Sequence, residues 1–458
     1  MIDIEQQDYQ LAISYYNEEG QVAIEKFNLP ADQMFEWTYS EPGQKVHPGV
    51  LSWDGKPVKK KRAAYLSKWR IEEFLSGLPE HMTRGIFSDN TPKKFFVDIE
   101  VEVGDEWPKP ELAKTPVTAI TFCNDLKIYS LGLKPLSAEQ IKKIKTRIEE
   151  HLKVEVEFNY IHFQSEYDML YSFFHKAIQK MPLITGWNFI GFDWTYMLNR
   201  CKKLGIDPAV SSPSRKLMGR DELPMHRLVV DYLNIYAKWD RIVDIKENNT
   251  LDYVAKAALG INKVKYNGTL QELYEKDFDS YIFYNAVDTA LVELIDKKLN
   301  TLQTFLSLGT ITRVEALRAY SPIWMAEAAM ARENWNRGRV FPRTEKQSTR
   351  REGYEGAFVV EPKTGLYEWV TSFDFASLYP SIMRQCNISP ESYIRNIGPN
   401  DEFDPEKTIK TSSGALFERN TDSVFRTILT EYYGKRKKAK KAFAEIEEEI
   451  EQLKKYLN

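Results

Sequence analysis

The sequence predicts a mixed α/β protein with several domains. Its 458 residues exceed what one hydrophobic core usually sustains, and this length suggests roughly three domains. Between Phe95 and about Asn300, strand-like segments such as FFVDIEVEV alternate with helical ones, which is typical of a sheet flanked by helices. The last segment, from Lys435 to Asn458, is rich in charged residues and helix formers and contains no Gly or Pro, which predicts a long terminal helix.

The composition favours a cytoplasmic globular protein. Hydrophobic residues at 43% and charged residues at 28% are ordinary values, and the net charge of -3 requires any contact with nucleic acid to depend on local basic patches. Cys123, Cys201 and Cys386 form no C-x-x-C motif, which argues against a disulfide framework or a zinc site. The amino terminus lacks an apolar signal region and no apolar run approaches ~18 residues, so we expect neither export nor a membrane span.

Five segments follow one another along the chain. Residues 1–93 form a mixed unit whose basic run KPVKKKR indicates a solvated loop, with contact to nucleic-acid phosphate as the alternative. Residues 94–300 carry the alternating strands and helices, and residues 301–345 form a helical connector that is expected to return to the first segment. Residues 346–422 contain a loop, the predicted apolar strand LYEWVTSFDF and a turn, and residues 423–458 form the terminal helix.

Carboxylates occur in three separate parts of the second segment. Asp98 and Glu100 alternate with valine and isoleucine in FFVDIEVEV, so they share one face of a strand, although a solvated acidic face explains this pattern without chemistry. Asp193, in NFIGFD, precedes a predicted helix, where a cap is the ordinary interpretation. Tyr284 and Asp288 lie four residues apart and therefore project from one helix face, where Asp288 alone would usually be a surface residue.

Taken together, these residues predict a metal-dependent site. Carboxylates crowd together only when cations neutralise them, and hard oxygen ligands suit Mg²⁺ or Mn²⁺. Two such ions would serve phosphodiester hydrolysis, and Tyr284 could orient the attacking water. The predicted ligands are Asp98, Glu100, Asp193 and Asp288.

The order DIE, NFIGFD and YNAVD, with about ninety-five residues between successive motifs, resembles the three motifs of the proofreading 3′-5′ exonuclease of family B DNA polymerases. The resemblance implies a DnaQ-like domain on an RNase H-like fold over residues 94–300. It also implies that the four carboxylates bind two Mg²⁺ ions, that Tyr284 positions the water, and that Asn188 gives local support.

A second signature, SFDFASLYPSIMRQCNISPE, resembles motif A of the polymerase palm in the same family. Asp374 is predicted to end an apolar strand, where it could bind a metal shared with a nucleoside triphosphate, and a helix beginning near Pro380 could direct backbone N–H groups at phosphate. The resemblance implies triphosphate contacts from Ser377 and Leu378, and a steric gate against ribose at Tyr379.

Four further stretches, YEGAFVVEP, SLYPSI, RQ-x-NISPE and DYLNIY, resemble the T-even bacteriophage type of this family. This resemblance extends over essentially the whole chain and implies an infected bacterial host as the location. YEGAF resembles the element that guides the template strand, which implies DNA binding by Tyr354 and Gly356. The terminal helix matches the first fingers helix, where Arg436 would contact the incoming triphosphate and Lys440 is a companion candidate.

The sequence departs from the family pattern because it contains no K-x-x-x-N-S-x-Y-G helix, no second palm carboxylate motif and no thumb. We therefore expect an amino-terminal subunit of a split replicative polymerase, a heterodimer with a second polypeptide that supplies the remaining palm, fingers and thumb. Its other partners would be primer-template DNA, single-stranded 3′ ends and dNTPs, with two further Mg²⁺ ions at the assembled polymerase site. The alternatives are a stand-alone exonuclease, an RNA-binding autoregulator and a truncated form of a full-length polymerase.

The terminal helix also carries an apolar seam that is spaced for pairing with another helix. A solvated helix folded onto its own domain is the alternative. The seam residues are Phe443, Ile446, Ile450, Leu453 and Leu457.

Overall fold

The structure is a computed structural model, and it describes residues 1–103, 107–239, 248–266, 268–343, 360–375, 377–398 and 400–457. Within these ranges, no helix combines the length and the apolar character that crossing a membrane requires. The predicted template-guiding residues Tyr354 and Gly356 lie outside the described residues. The side chain of the seam residue Leu457 also lies outside them.

The described residues form strands throughout the chain. In chain order they are β1 (Ile4–Gln7), β2 (Gln10–Tyr16), β3 (Val22–Asn28), β4 (Phe35–Tyr39), β5 (Leu51–Ser52), β6 (Val58–Arg62), β7 (Lys94–Val101), β8 (Val117–Asn124), β9 (Lys127–Gly132), β10 (Glu157–His162), β11 (Leu183–Thr185), β12 (Leu217–Met218), β13 (Leu223–Pro224), β14 (Leu228–Val229), β15 (Arg339–Val340), β16 (Tyr393–Asn396), β17 (Thr408–Lys410) and β18 (Ala415–Glu418).

Helices follow and separate these strands. They are α1 (Lys68–Ser76), α2 (Glu80–Thr83), α3 (Ala138–Leu152), α4 (Glu166–Ser172), α5 (Thr195–Leu204), α6 (Tyr232–Trp239), α7 (Leu251–Leu259), α8 (Leu270–Lys276), α9 (Phe278–Leu299), α10 (Thr301–Thr312), α11 (Pro322–Asn336), α12 (Leu378–Gln385) and α13 (Val424–Leu457). One-turn π-helical segments occur at Phe173–Ala177 and Ile190–Trp194, and short 3₁₀ helices at Ala31–Gln33, Ile178–Lys180, Pro208–Ser211 and Ala316–Tyr320.

The chain folds into two compact units. The first comprises residues 1–30 and 78–325, and the second comprises residues 31–77 and 326–458. The predicted first segment, residues 1–93, is thus shared between the units, because residues 31–77 fold with the later part of the chain. The parallel pairing of β5 with β15 illustrates this, since the two strands lie far apart in sequence.

A six-stranded sheet organises the first unit. Its order is β10-β9-β8-β7-β11-β14, with β8 antiparallel to both of its neighbours and the other neighbouring pairs parallel. On one face, Val97 and Ile99 of β7 are buried in an apolar core with Phe173 and Trp194. The first unit also contains the antiparallel sheet β1-β2-β3 and the two-stranded hairpin β12-β13.

The other face of the sheet is covered by α9, which packs against β7 and β8. Successive side chains of a strand point to opposite faces, so Asp98 and Glu100 project toward this helix. The alternative of a solvated acidic face is therefore wrong, because α9 leaves Glu100 only 9% exposed.

The second unit begins with the antiparallel pair β4 and β6, whose core contains Trp37, Val58 and Val340. The interpretation of the basic run as a loop is wrong, since Val58–Arg62 is strand β6. The strand forms because Val58 is buried and the Lys60 ammonium lies 4.2 Å from the centre of the Phe35 ring.

The apolar strand predicted within residues 366–375 is also not observed. In the described stretch 360–375 the backbone is irregular, and Trp369 and Phe373 are 96% and 90% exposed. A strand satisfies its N–H and C=O groups through neighbouring strands, and no strand of the described residues pairs with this segment. Asp374 thus lies within an irregular segment. The three-stranded sheet β16-β18-β17 lies later in the chain.

Helix α13 is the longest element of the second unit, with 34 residues. Near its start it packs against α12, where the Arg384 guanidinium donates to the Thr430 hydroxyl at 3.1 Å. Farther along, the apolar seam has no cover from the described residues: Phe443, Ile446 and Leu453 are 61%, 55% and 61% exposed.

Candidate active site

Strand β7 carries the first two predicted ligands into the space beneath α9. Asp98 is half-buried and its Oδ2 accepts a 2.6 Å hydrogen bond from the Asn285 side chain of α9. Glu100 is held on the same face, where its backbone carbonyl accepts from the hydroxyl of Thr118 at 3.0 Å. The strand and the helix are therefore joined at the position of the carboxylates.

Asp193 reaches the same place from the π-helical segment Ile190–Trp194. It is 4% exposed, and its Oδ1 accepts from the backbone N–H of Ile99 at 2.9 Å. Interpretation as an ordinary helix cap is wrong, because Asp193 bonds to a neighbouring strand. The buried Asp231 helps to place this segment, since its Oδ2 accepts from the N–H of Ile190 at 3.1 Å.

Gly186 precedes the π-helical segment Ile190–Trp194 and lies very close to the backbone of β7. A Cβ at this position would lie 2.2 Å from the backbone oxygen of Val97, which is far below van der Waals contact. At Gly191 a Cβ would lie 2.4 Å from Oδ1 of Asn188, which is the movable end of a side chain. The backbone of β7 cannot move without disturbing Asp98, so the first glycine is the more strictly required.

We expect G186A to lower the free energy of unfolding of the first unit by about 2–4 kcal/mol, because a backbone atom must be displaced within a packed core. G191A is the matched control and should cost less than about 1 kcal/mol, since the Asn188 side chain can rotate away. Urea unfolding followed by tryptophan fluorescence measures both values. Equal losses in the two variants would contradict the proposed close approach.

Helix α9 contributes Tyr284 and Asp288 to the site. Asp288 is 4% exposed, so its interpretation as a surface residue is wrong. Tyr284 lies one turn earlier, where burial and then the charge of Asp288 raise the pKa of its hydroxyl. Two buried oxygens at this position, Oδ1 of Asp288 and Oδ1 of Asn285, have no hydrogen-bond partner in the described residues.

Lys263 is a member of the site that sequence reasoning missed. Its ammonium lies 2.6 Å from Oδ2 of Asp288 and 5.2 Å from the centre of the Tyr284 ring. The residue belongs to no motif, and it follows α7, which packs against α9. Asn285 was missed as well, although its position three residues before Asp288 places both on one helix face.

The electrostatics of the four carboxyl groups favour a bound cation. Burial, followed by the charge of Asp288, raises the pKa of Asp98 to about 7. The pKa values of Glu100 and Asp193 are raised by burial and then by the charge of Asp98. Burial also raises the pKa of Asp288, while Lys263 opposes that shift. A divalent ion would relieve the repulsion that one lysine balances only in part.

The residues present fit such an ion chemically. The atoms available as metal ligands are carboxylate and amide oxygens, which Mg²⁺ and Mn²⁺ prefer. Two of these oxygens have no hydrogen-bond partner in the described residues. In the part of the chain that the structure describes, no group of three or more His, Cys, Asp or Glu side chains is arranged to hold a metal as it stands. Asp98, Asp193 and Asp288 instead point to Asn285, Ile99 and Lys263.

Replacing Lys263 by methionine removes the counter-charge of Asp288 and keeps most of the aliphatic chain. In EDTA we expect K263M to unfold with a free energy lower by about 1–3 kcal/mol, because a buried carboxylate loses its partner. Saturating Mg²⁺ should restore most of this loss, since an ion bound at the carboxylates replaces the charge. Thermal unfolding with and without Mg²⁺ measures the effect. K265M, at a nearby exposed lysine, is the control, and no loss in K263M would refute the pairing.

A cleft of about 500 Å³ opens beside Tyr284. Its lining contains the aromatic rings of Tyr266 and Tyr284 and the basic side chains of Arg147, Lys265 and Lys276, together with the acidic Glu272 and Asp277. Aromatic and basic side chains together suit a single nucleic-acid strand, whose bases stack while its phosphates pair with cations.

The polymerase-type residues lie in the second unit and are only partly brought together. Nη1 of Arg436, on α13, lies 3.4 Å from Oγ of Ser377, which precedes α12. Asp374 is exposed, and Tyr379 is 74% exposed. Leu378 begins α12, two residues before the predicted start at Pro380. Lys440 is exposed on α13 and makes no hydrogen bond or ion pair within the described residues.

Comparison with known proteins matches two regions of the chain to one family. Residues 79–229 match "DNA polymerase family B, exonuclease domain", and residues 325–456 match "DNA polymerase family B". The chain is 29% identical to a DNA-directed DNA polymerase of Escherichia phage RB69, over 75% of the chain and 41% of that protein. It is 28% identical to the corresponding enzyme of Enterobacteria phage T4, over 79% of the chain and 43% of that protein.

The similarity extends beyond bacteriophage proteins. A DNA polymerase of Archaeoglobus fulgidus is 27% identical over 56% of the chain and 32% of its own length. The chain spans less than half the length of each of these relatives.

Proposed function

Because this chain belongs to family B of the DNA polymerases, we propose that its first unit removes nucleotides from single-stranded DNA 3′ ends. The observation that carries the proposal is the convergence of four carboxyl groups from β7, the π-helical segment and α9. Their raised pKa values indicate a site that is completed by cations.

Asp98, Glu100, Asp193 and Asp288 would hold two Mg²⁺ or Mn²⁺ ions. When bound, divalent ions supply the Lewis acidity that phosphodiester hydrolysis requires. Tyr284 lies beside Asp288 and would orient the attacking water through its hydroxyl, which its raised pKa keeps protonated. The Lys263 ammonium is placed to balance the charge of Asp288 and of an entering phosphate.

The fold supports this assignment. A sheet of order β10-β9-β8-β7-β11-β14, with one antiparallel strand among parallel ones, is compatible with the RNase H-like fold predicted for residues 94–300. The cleft beside Tyr284 would hold the single strand, with Tyr266 available for stacking and Arg147 and Lys265 for phosphate contacts.

For the second unit we propose a share in nucleotidyl transfer. Asp374 would bind metal, Ser377 and Leu378 would offer backbone contacts to a dNTP, and Tyr379 would exclude the ribose 2′-hydroxyl. The contact between Arg436 and Ser377 supports the placement of Arg436 at the same triphosphate, with Lys440 as a companion one turn later. Template contacts by Tyr354 and Gly356 belong to the same proposal.

The split arrangement is part of this proposal. Two palm carboxylates are needed to hold the metal pair, and Asp374 would supply one of them. A second polypeptide would provide the other carboxylate together with the remaining fingers and thumb. The exposed seam of α13 supports such a heterodimer, since an amphipathic helix buries its apolar face against a partner.

The test uses the whole chain and a 5′-labelled single-stranded oligonucleotide. We expect stepwise shortening from the 3′ end in Mg²⁺ or Mn²⁺, and no reaction in EDTA. A 3′-blocked oligonucleotide is the control, because an endonuclease would still cut it. Shortening that persists in EDTA, or cutting of the blocked strand, would refute the proposed activity.

A further inference from the structure

A second cavity of about 510 Å³ lies in the first unit, away from the carboxylates. Phe95 of β7 contributes to its wall and shares the strand face of Val97, which packs on the apolar core. Asp98 and Glu100 occupy the opposite face, under α9. The sheet therefore separates this cavity from the proposed exonuclease site.

The wall formed by the sheet is aromatic and partly accessible. Phe122 of β8 and Tyr129 of β9 stack on each other, with their ring centres 5.3 Å apart and their planes within 13° of each other. Both rings are half-buried, so one part of each borders the cavity. A flat ring can extend such a stacked pair by packing on its outer face.

The rim of the cavity is basic. Lys127, Lys176 and Lys180 line it, and its described lining contains no aspartate or glutamate. Lys176 and Lys180 are exposed and make no ion pair or hydrogen bond within the described residues. The Lys127 ammonium lies 3.6 Å from Oε2 of Glu157, in an ion pair whose two side chains are both more than half exposed. The rim thus offers positive charge to an anion at the mouth.

The backbone opposite the sheet is irregular where it borders the cavity. The π-helical segment Phe173–Ala177 is followed directly by the 3₁₀ helix Ile178–Lys180. Single π-helical turns are frequent at functional sites, and another such turn among the described residues of this unit carries Asp193. Lys176 and Lys180 are four residues apart along this segment, and both border the same opening.

We propose that this cavity binds a nucleobase that carries a phosphate, with the base against Phe122 and Tyr129 and the phosphate between Lys176 and Lys180. Aromatic walls alone would accept many apolar molecules, and lysines alone would accept any anion. The combination selects a flat ring joined to an anion, within a volume typical of small-molecule sites. The ligand is either a free nucleoside 5′-monophosphate or one nucleotide of a single strand.

The experiment measures binding of deoxyadenosine 5′-monophosphate by calorimetry to the full chain carrying D98A and E100A, in EDTA. These conditions remove hydrolysis, so the result does not depend on whether the proposed exonuclease activity is correct. We expect saturable binding of one nucleotide per chain. Deoxyadenosine and inorganic phosphate should each bind at least tenfold more weakly, since each lacks one half of the ligand.

Two variants locate the site. K176E/K180E should weaken nucleotide binding at least tenfold, and A177W should block it by filling the half-buried wall at Ala177. K142E/K256E is the control of equal charge change at exposed lysines elsewhere in the unit, and should alter the affinity less than twofold.

A tetradeoxyadenylate distinguishes the two sources of the ligand. Tighter binding than the mononucleotide, with the same loss in K176E/K180E, identifies a single strand, and equal binding identifies the free nucleotide. No binding by a chain of normal melting temperature, or an affinity unchanged in both K176E/K180E and A177W, would overturn the proposal.

Discussion

Replacing both Asp98 and Glu100 by alanine is expected to slow 3′-terminal hydrolysis in Mg²⁺ by at least about a thousandfold. The two side chains project from the same face of β7. The charges of Asp288 and Asp193 help to raise the pKa of Glu100, so these carboxyl groups belong to one site. Without them, the remaining two carboxylates cannot neutralise and position a pair of divalent ions. Rapid-quench measurement of single-turnover cleavage of a labelled oligonucleotide gives the rate of this step.

The control variant is E102A, because Glu102 continues the same acidic alternation two residues farther along. We expect its rate to stay within about threefold of the wild-type rate, since Glu102 lies beyond the end of β7, where its charge adds to the effect of burial in raising the pKa of Tyr274. A loss below tenfold in D98A/E100A would count against the assignment of these residues.

The same double variant should not lose stability. The pKa of Asp98 rises from 3.8 to about 7 in the folded chain, so the folded state binds more protons than the unfolded state between these values. Its stability therefore falls as the pH rises toward 7, and the penalty is complete above that pH. Alanine removes this penalty, so in EDTA at pH 8 D98A/E100A should melt at the same temperature as the wild type or a higher one. Differential scanning calorimetry measures the two values.

Local periodicity explains why part of the site could be predicted from sequence. The alternation in FFVDIEVEV places Asp98 and Glu100 on one face of β7, and the four-residue spacing of Tyr284 and Asp288 places both on one side of α9. These relations depend only on strand and helix geometry. The location of these residues in the described structure therefore matches the pattern that the sequence contains.

Contacts between distant segments could not be read in this way. Lys263 follows α7 in an irregular segment, and only the tertiary fold places its ammonium beside Asp288. The burial of Glu100 likewise depends on α9, about 180 residues later, which covers a face that periodicity alone leaves open. The charge of Lys263 beside Asp288 and the burial of Glu100 under α9 both result from tertiary packing, which local sequence patterns do not specify.

The two incorrect strand assignments show the same dependence on neighbours. Residues 366–375 have a strand-like composition, yet no described strand pairs with them, whereas the basic Val58–Arg62 is a strand because β4 lies beside it. β-propensity describes how well a side chain fits a pleated, half-buried surface. The partner strand decides whether that surface exists.

If the proposed split arrangement is correct, primer extension is expected to be absent with this chain alone and to appear when the proposed second polypeptide is added. That polypeptide is identified by a K-x-x-x-N-S-x-Y-G motif and a second palm carboxylate, which together with Asp374 would complete the metal-binding set. D374A should then reduce extension at least about a thousandfold and leave 3′ hydrolysis unchanged. E368A is the matched control, since Glu368 is also an exposed acidic residue of the described stretch 360–375.

The seam of α13 gives this prediction a second, independent test. I446D/L453D places two charges on the exposed apolar face and should raise the partner concentration for half-maximal extension at least tenfold, because a charge in a helix–helix core loses its hydration. A444D/Q452D adds the same charge on the opposite side of the helix and should change that concentration less than twofold. Exonuclease activity should be equal in both variants, since the carboxylates belong to the first unit. Extension by this chain alone would refute the split arrangement, and equal effects of the two seam variants would place the partner contact elsewhere.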